Sequence, residues 1–192
     1  HPAVLMWMVP NDPMSEDQPN HQVMARLASE NSATPNLNLF ILNNFVTASI
    51  PMLSTVLGSP TAHALSVMLA SPLSRGRVRI ADATPHCKPV IELNLGSAPE
   101  DIEHLMSGVR LAWKIVRSPQ IARHAKSTFL WTDAIVRNDR LLKNTIQHFL
   151  NATWHPVGTA KMGSSSDRMA VVDSRCRVHG LDRTQLAGLD FA

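Results

Sequence analysis

The stretch from Ala98 to Arg117 constrains this chain more than any other part of it. Ile102, Leu105, Met106, Val109, Ala112, Trp113 and Val116 fall at helical spacing and form one apolar stripe, which has to be buried against something. Ser97, followed three residues later by Glu100, has the pattern of a capping box. Glu100, Asp101 and Glu103 put negative charge at the positive end of the helix dipole. Arg110, Lys114 and Arg117 lie towards the other end, and Ser118-Pro119 stops the helix. A second helix is predicted over Asp139 to Leu150, with Leu141, Leu142, Thr145, Ile146, Phe149 and Leu150 as its apolar positions.

Extended segments surround these helices. Ala3 to Val9 is an apolar run closed by Pro10-Asn11-Asp12-Pro13, a strand ending in a turn. Met14 to Pro35 is polar and irregular and reads as a surface excursion. Leu37 to Leu42 mixes alternation with an apolar run, as in a half-buried strand. From Arg77 to Ile80 charged and apolar residues alternate, so Val78 and Ile80 share one face of a strand. Pro89 to Leu93 predicts another short strand. Met52 to Ala70 is the most apolar region, but Ser, Thr, His, Gly and Pro interrupt it, and no stretch reaches the ~18 apolar residues of a membrane span.

Composition narrows the function classes. With 44% hydrophobic and 17% charged residues, the 192-residue chain reads as globular rather than disordered. The formal charge of +3 is spread thinly, with no basic run suited to tracking phosphates, so no nucleic-acid partner is expected. Two cysteines, Cys87 and Cys176, make neither a disulfide framework nor a zinc site. They leave either two free thiols, as in the cytoplasm, or one bridge. No His-Glu-x-x-His or similar ligand spacing occurs, so no metal is expected.

The chemistry concentrates in Trp154-His155-Pro156-Val157-Gly158-Thr159-Ala160-Lys161-Met162-Gly163. Pro156 pushes His155 out of the helical region, and Gly158 frees the backbone to approach another group closely. His155 therefore sits on a constrained turn that suits a base held against a flat ligand. The same residues would also build a buried turn whose imidazole donates to a carbonyl. Asn151-Ala152-Thr153 fits the glycosylation acceptor pattern, but it abuts this turn and is read as a chance match.

Four blocks in order carry a family resemblance. His155 to Gly163 resembles the His-Pro-x-Gly-Thr-x-x-Met-Gly segment of the glucose-methanol-choline (GMC) oxidoreductases. Val171 to Asp182 resembles the family's Val-Val-Asp-x-x-Leu-Arg-Val-His-Gly-Val-Asp stretch. Pro72 to Arg79 is similar to its Pro-x-Ser-Arg-Gly-x-Val-x strand, and Pro99-Glu100-Asp101 with Gly108 to Ala112 matches its acidic helix start. Residues 1–70 match only loosely, and residues 71–192 correspond to the family's C-terminal domain, cut short at its end.

The resemblance implies an α+β fold, a mainly antiparallel sheet with helices packed on one side, roofing the flavin ring of an FAD. It implies a substrate-side portion of an alcohol dehydrogenase or oxidase. In this family the His of the His-Pro segment faces the flavin and takes the hydroxyl proton of an alcohol, while the carbinol hydride passes to flavin N5. Carried over, His155 is the catalytic base. Trp154, Pro156 and Val157 then lie near the flavin or substrate. His179 matches a structural residue near a strand end, and Asp173 reads as a turn former.

The match also fails in places. The family holds FAD on a Gly-x-Gly-x-x-Gly turn of an N-terminal Rossmann-like domain. No two of the eight glycines here are separated by a single residue. Where the family continues into a cofactor-touching Leu-Arg-Val-Ala-Asp strand, Ala187 fits, but Gly188 stands in place of the Asp. The family's second catalytic residue, a His or Asn, falls beyond Ala192. The expectation is thus a portion that works with an FAD domain on the same or another chain. The alternative is a catalytically inactive remnant or a partner-binding lobe.

Overall fold

The computed structural model describes residues 1–12, 19–21, 23–84 and 86–181. They divide into two compact units, residues 1–76 with 91–154, and residues 77–90 with 155–192.

The first unit is built on one antiparallel sheet. Its strands are β1 (Pro2–Pro10), β2 (Met24–Leu27), β3 (Leu37–Val46), β4 (Thr61–Leu69), β7 (Ala125–Thr128) and β8 (Asn151–Ala152). Two three-residue strands, β5 (Arg77–Arg79) and β6 (Val90–Glu92), lie outside that sheet. The order is β2-β3-β4-β1-β7, and β8 pairs with β1 at the end opposite β7. The helices are α1 (Leu53–Leu57), α2 (Pro99–Val116), α3 (Pro119–Ala122), α4 (Asp133–Arg137) and α5 (Asp139–Phe149). The antiparallel α+β architecture is as expected. No described helix is long and apolar enough to cross a membrane.

The period-two alternation of the two central strands decides what each face buries. Val4, Met6 and Met8 of β1 and Leu65, Val67 and Leu69 of β4 point to one face, where Ile102, Leu105, Val109, Ala112 and Val116 of α2 meet them. Leu142 and Ile146 of α5 and Val136 of α4 join the same core. The opposite face carries Trp7, Ala62 and Ala64, covered at one end by Leu53 and Leu57 of α1. β4 is buried along its whole length because both of its faces are covered. Gly108 lets α2 come close to the sheet: a Cβ there would stand 2.6 Å from a Val67 methyl and 3.0 Å from a Leu37 methyl.

Several expectations are corrected. The N-cap of α2 is Ala98, not Ser97, and its side chain makes no cap bond, so the Ser97–Glu100 capping box does not form. The Ala98 N–H instead donates to the Ser74 hydroxyl, 24 residues upstream. Asp101 does more than face the dipole. It is fully buried, and its carboxylate accepts the Leu73 and Ser74 N–H groups and the Ser74 hydroxyl. Two of the recognised sequence blocks are thereby joined. The 14–35 excursion contains β2, paired to β3 over Met24↔Phe40 to Leu27↔Leu37. On the Arg77–Ile80 segment no face is buried, and Ile80 is 85% exposed. In α5 only Leu142 and Ile146 are buried, while Leu141 and Phe149 are exposed. Cys87 and Cys176 are free and exposed.

Candidate functional site

The sheet supplies the point of departure for the His155 segment. After α5, β8 lies on β1 with Pro2↔Ala152 and Ala3↔Asn151 in register. Thr153 then bonds the His1 carbonyl twice, through its N–H at 3.2 Å and its hydroxyl at 3.0 Å. Trp154 follows with φ +53°, a left-handed conformation that a bulky residue adopts only under constraint, and its indole is 87% exposed. His155, Pro156 and Val157 are exposed in turn. The alternative of a buried turn therefore does not describe His155, whose ring lies in an exposed stretch. Gly158 takes φ +82°, the freedom for which a glycine is needed.

Further along, the second unit is held by hydrogen bonds between two of the recognised blocks. The Lys161 carbonyl accepts the Val171 and Val172 N–H groups at 2.7 and 3.2 Å, and the Gly163 N–H donates to the Val172 carbonyl at 2.9 Å. His179 Nε2 meets the Gly163 carbonyl at 3.0 Å. Asp173 closes the turn between Val172 and Val178, which form an isolated antiparallel bridge. Its carboxylate accepts the Arg175 and Arg177 N–H groups at 2.8 and 3.0 Å and pairs with the Arg177 guanidinium. The Arg177 side chain first, and its backbone N–H next, pull the Asp173 carboxyl down to about 2. Asp173 thus behaves as the turn former expected of it. Asp167 is likewise lowered, by the Lys161 ammonium first and then the Met169 N–H. An open hollow of about 590 Å³ lies beside this clasp, lined by Met162, Gly163, Ser164, Asp173 and His179 among others.

Trp154, His155, Pro156 and Val157 thus form one continuous exposed stretch, while Ala187 and Gly188 lie outside the described residues. Three of the described helix starts suit a dinucleotide's pyrophosphate poorly, since α2 opens with Glu100 and Asp101, α4 with Asp133 and α5 with Asp139. No group of three or more His, Cys, Asp or Glu that could hold a metal occurs among the described residues. Sequence reasoning missed the two hydrogen bonds from Thr153 to the His1 carbonyl and the partner of His179. Each joins residues distant in the chain, and no local pattern marks such a pair.

Comparison with known proteins identifies the family and supports the fold. Residues 72–189 match the family model described as GMC oxidoreductase. The alcohol dehydrogenase [acceptor] of Pseudomonas putida is 34% identical over 110 residues, 57% of this chain and 19% of that protein. The oxygen-dependent choline dehydrogenase 1 of Chromohalobacter salexigens is 31% identical over 123 residues, 63% of this chain and 22% of that protein. The chain thus spans about a fifth of the length of these relatives. Among solved structures, pyridoxine 4-oxidase from Mesorbium loti superposes with a TM-score of 0.76 at 21% identity, covering 95% of this chain and 35% of that one. A formate oxidase gives 0.74 at 18% identity, covering 94% and 40%. At those identities the two structures speak for the fold.

Proposed function

This chain belongs to the GMC oxidoreductase family, and on that premise we propose that it is the substrate-side portion of an FAD-dependent alcohol oxidoreductase, with His155 as its base. The observation that carries this reading is His155, exposed in the Trp154–Val157 stretch and lying within the residues that match the family model. An imidazole there is open to a docked ligand.

In this reading the His155 imidazole accepts the alcohol's hydroxyl proton as the carbinol C–H bond breaks, leaving a carbonyl product. FAD, when bound, supplies the two-electron acceptor for the departing hydride. Pro156 holds the backbone of His155 out of the helical region, which limits the directions its ring can take. Trp154 and Val157, its near neighbours in the chain, would offer a flat and an apolar side chain to a ligand docked there. The pyrophosphate cradle comes from an FAD domain, on the same or another polypeptide, and that domain is the partner this portion needs.

The test is complementation. The chain is co-expressed with a family FAD domain, and flavin absorbance and alcohol-dependent dye reduction are measured. Replacing His155→Asn should lower kcat by ~10²–10⁴-fold while flavin absorbance is retained. Activity unchanged by that replacement would remove His155 from the chemistry. No activity under any complementation, with the chain folded and flavin bound, would favour an inactive lobe instead.

A further inference from the structure

Two buried polar groups on the sheet face opposite α2 have nothing to bond. Among the described residues, neither the Ser66 hydroxyl nor the Asn38 side-chain carbonyl finds a hydrogen-bond partner. Ser66, on β4, is fully buried, and Asn38, on β3, is 9% exposed. Each forfeits its bonds to water without replacing them, a cost that calls for an explanation. Both lie in the first unit, and the pairing register puts them on one face. Ser66 stands opposite Phe40 of β3 and Leu5 of β1, and Asn38 stands opposite Met68, two residues further along β4. Ser66 and Asn38 are therefore diagonal neighbours, ~7–8 Å apart in such a sheet. One small group set between the two side chains can reach both.

We propose that this pair receives the hydroxyl of an uncharged, largely apolar alcohol. Resting on the reading of the chain as part of an alcohol oxidoreductase, that alcohol is its substrate. The Asn38 carbonyl oxygen only accepts, while the Ser66 hydroxyl can donate. A ligand hydroxyl serves both, donating to Asn38 and accepting from Ser66. A carboxylate has no proton for Asn38, and a hydrocarbon satisfies neither group. A cation finds no counter-charge, for of the residues paired across these two rows only Arg26, opposite Asn38, is charged, and it is positive. Leu5, Phe40 and Met68 give the rest of the ligand an apolar bed. Leu5 and Phe40 are only half-buried, so the two side chains that flank the Ser66 hydroxyl can change rotamer to admit a ligand.

The test titrates the chain, without any FAD domain, with benzyl alcohol. Toluene, benzoate and benzylammonium, which keep the ring and change the polar group, are titrated in parallel. Binding is followed by NMR at the Ser66 backbone amide and the Asn38 side-chain amide. Benzyl alcohol should bind at least about tenfold more tightly than each of the other three, as expected when hydrogen bonds to buried groups are made rather than missed. Ser66→Ala and Asn38→Leu should each weaken benzyl alcohol about tenfold and leave toluene within about threefold. Both unliganded variants should melt close to the wild type, because each removes a group that bonds nothing. If Asn38→Leu does not fold, Asn38→Ala takes its place. Toluene binding as tightly as benzyl alcohol, benzoate or benzylammonium binding more tightly, or an affinity that survives both substitutions overturns the proposal. With a complementing FAD domain, both substitutions should raise the KM for benzyl alcohol about tenfold and leave kcat within about threefold. A KM that does not move would overturn the assignment of this ligand as substrate. The two ideas fail separately. Activity retained in His155→Asn would sink the base reading, while the titrations of the chain alone would still judge the Ser66–Asn38 pair.

Discussion

His63 shows how one side chain can set a pH dependence without touching the candidate site. It sits on β4, 9% exposed, and its Nδ1 accepts the Asn44 N–H at 3.3 Å. Asn44 has φ +50° and lies at the register shift between Leu42 and Phe45, where an asparagine tolerates the left-handed conformation. Burial first, and the neighbouring His124 second, push the His63 imidazole below its ordinary value of 6.5. As pH falls below 6.5, the unfolded chain therefore takes up a proton that the folded chain still refuses. Stability is complete above that pH and declines below it, by at most ~1.4 kcal/mol per pH unit, until the folded imidazole itself titrates. His63→Asn keeps an acceptor near the Asn44 N–H and removes the titration. Urea unfolding of both proteins between pH 7 and 5 should give a shallower fall in the variant. Identical slopes would mean that His63 carries no linked proton.

The α2 helix contains the clearest packing test at the level of elements. Gly108→Ala gains about 1 kcal/mol of helix propensity. It also drives a methyl to within 2.6 Å of Val67 and 3.0 Å of Leu37, an overpacking that costs about 1–3 kcal/mol. The expected result is a net loss of ~1 kcal/mol, read as a lower urea midpoint, and partial recovery when Val67→Ala is added. A more stable single variant would show that the helix can shift away without cost. The helix was legible in the sequence because its stripe is long and one-sided, and β1 and β3 were legible because an apolar run or alternation marks them. Strand β4 was not, since burial on both faces removes the alternation, and Ala62, His63, Ala64 and Ser66 dilute the apolar run. Strands β7 and β8, four and two residues long, are too short to carry a pattern. The Ser97 cap misled because Ser74, held by Asp101, satisfies the Ala98 N–H from a distant part of the chain. Likewise the Trp154–Val157 stretch was recognisable from its motif, whereas the grip of Thr153 on His1 exists only once β8 has paired with β1.

At the level of the whole molecule, the two units differ in what holds them. The first has a continuous core of fully buried side chains, among them Val4, Met6, Val67, Leu105 and Ile146. In the second, no described residue is buried, while Val157 and Met169 are 73% and 74% exposed. With so little apolar surface removed from water, the hydrophobic effect contributes little there, and the bonds around Asp173 and Gly163 carry the conformation. Hydrogen bonds open to water exchange readily, so opening should be far easier in this unit than in the sheet. In the isolated chain, amides of residues 161–179 should exchange at least ~10²-fold faster than those at the centre of β1 and β4. An FAD domain that covers the exposed apolar side chains should slow the first set and leave the second unchanged, since β4 is already shielded on both faces. Hydrogen exchange by mass spectrometry, with and without the complementing domain, measures both sets at once. Protection of residues 161–179 equal to that of β4 in the chain alone would show that this unit needs no cover. The exposed apolar side chains would then have to be explained without a docking partner.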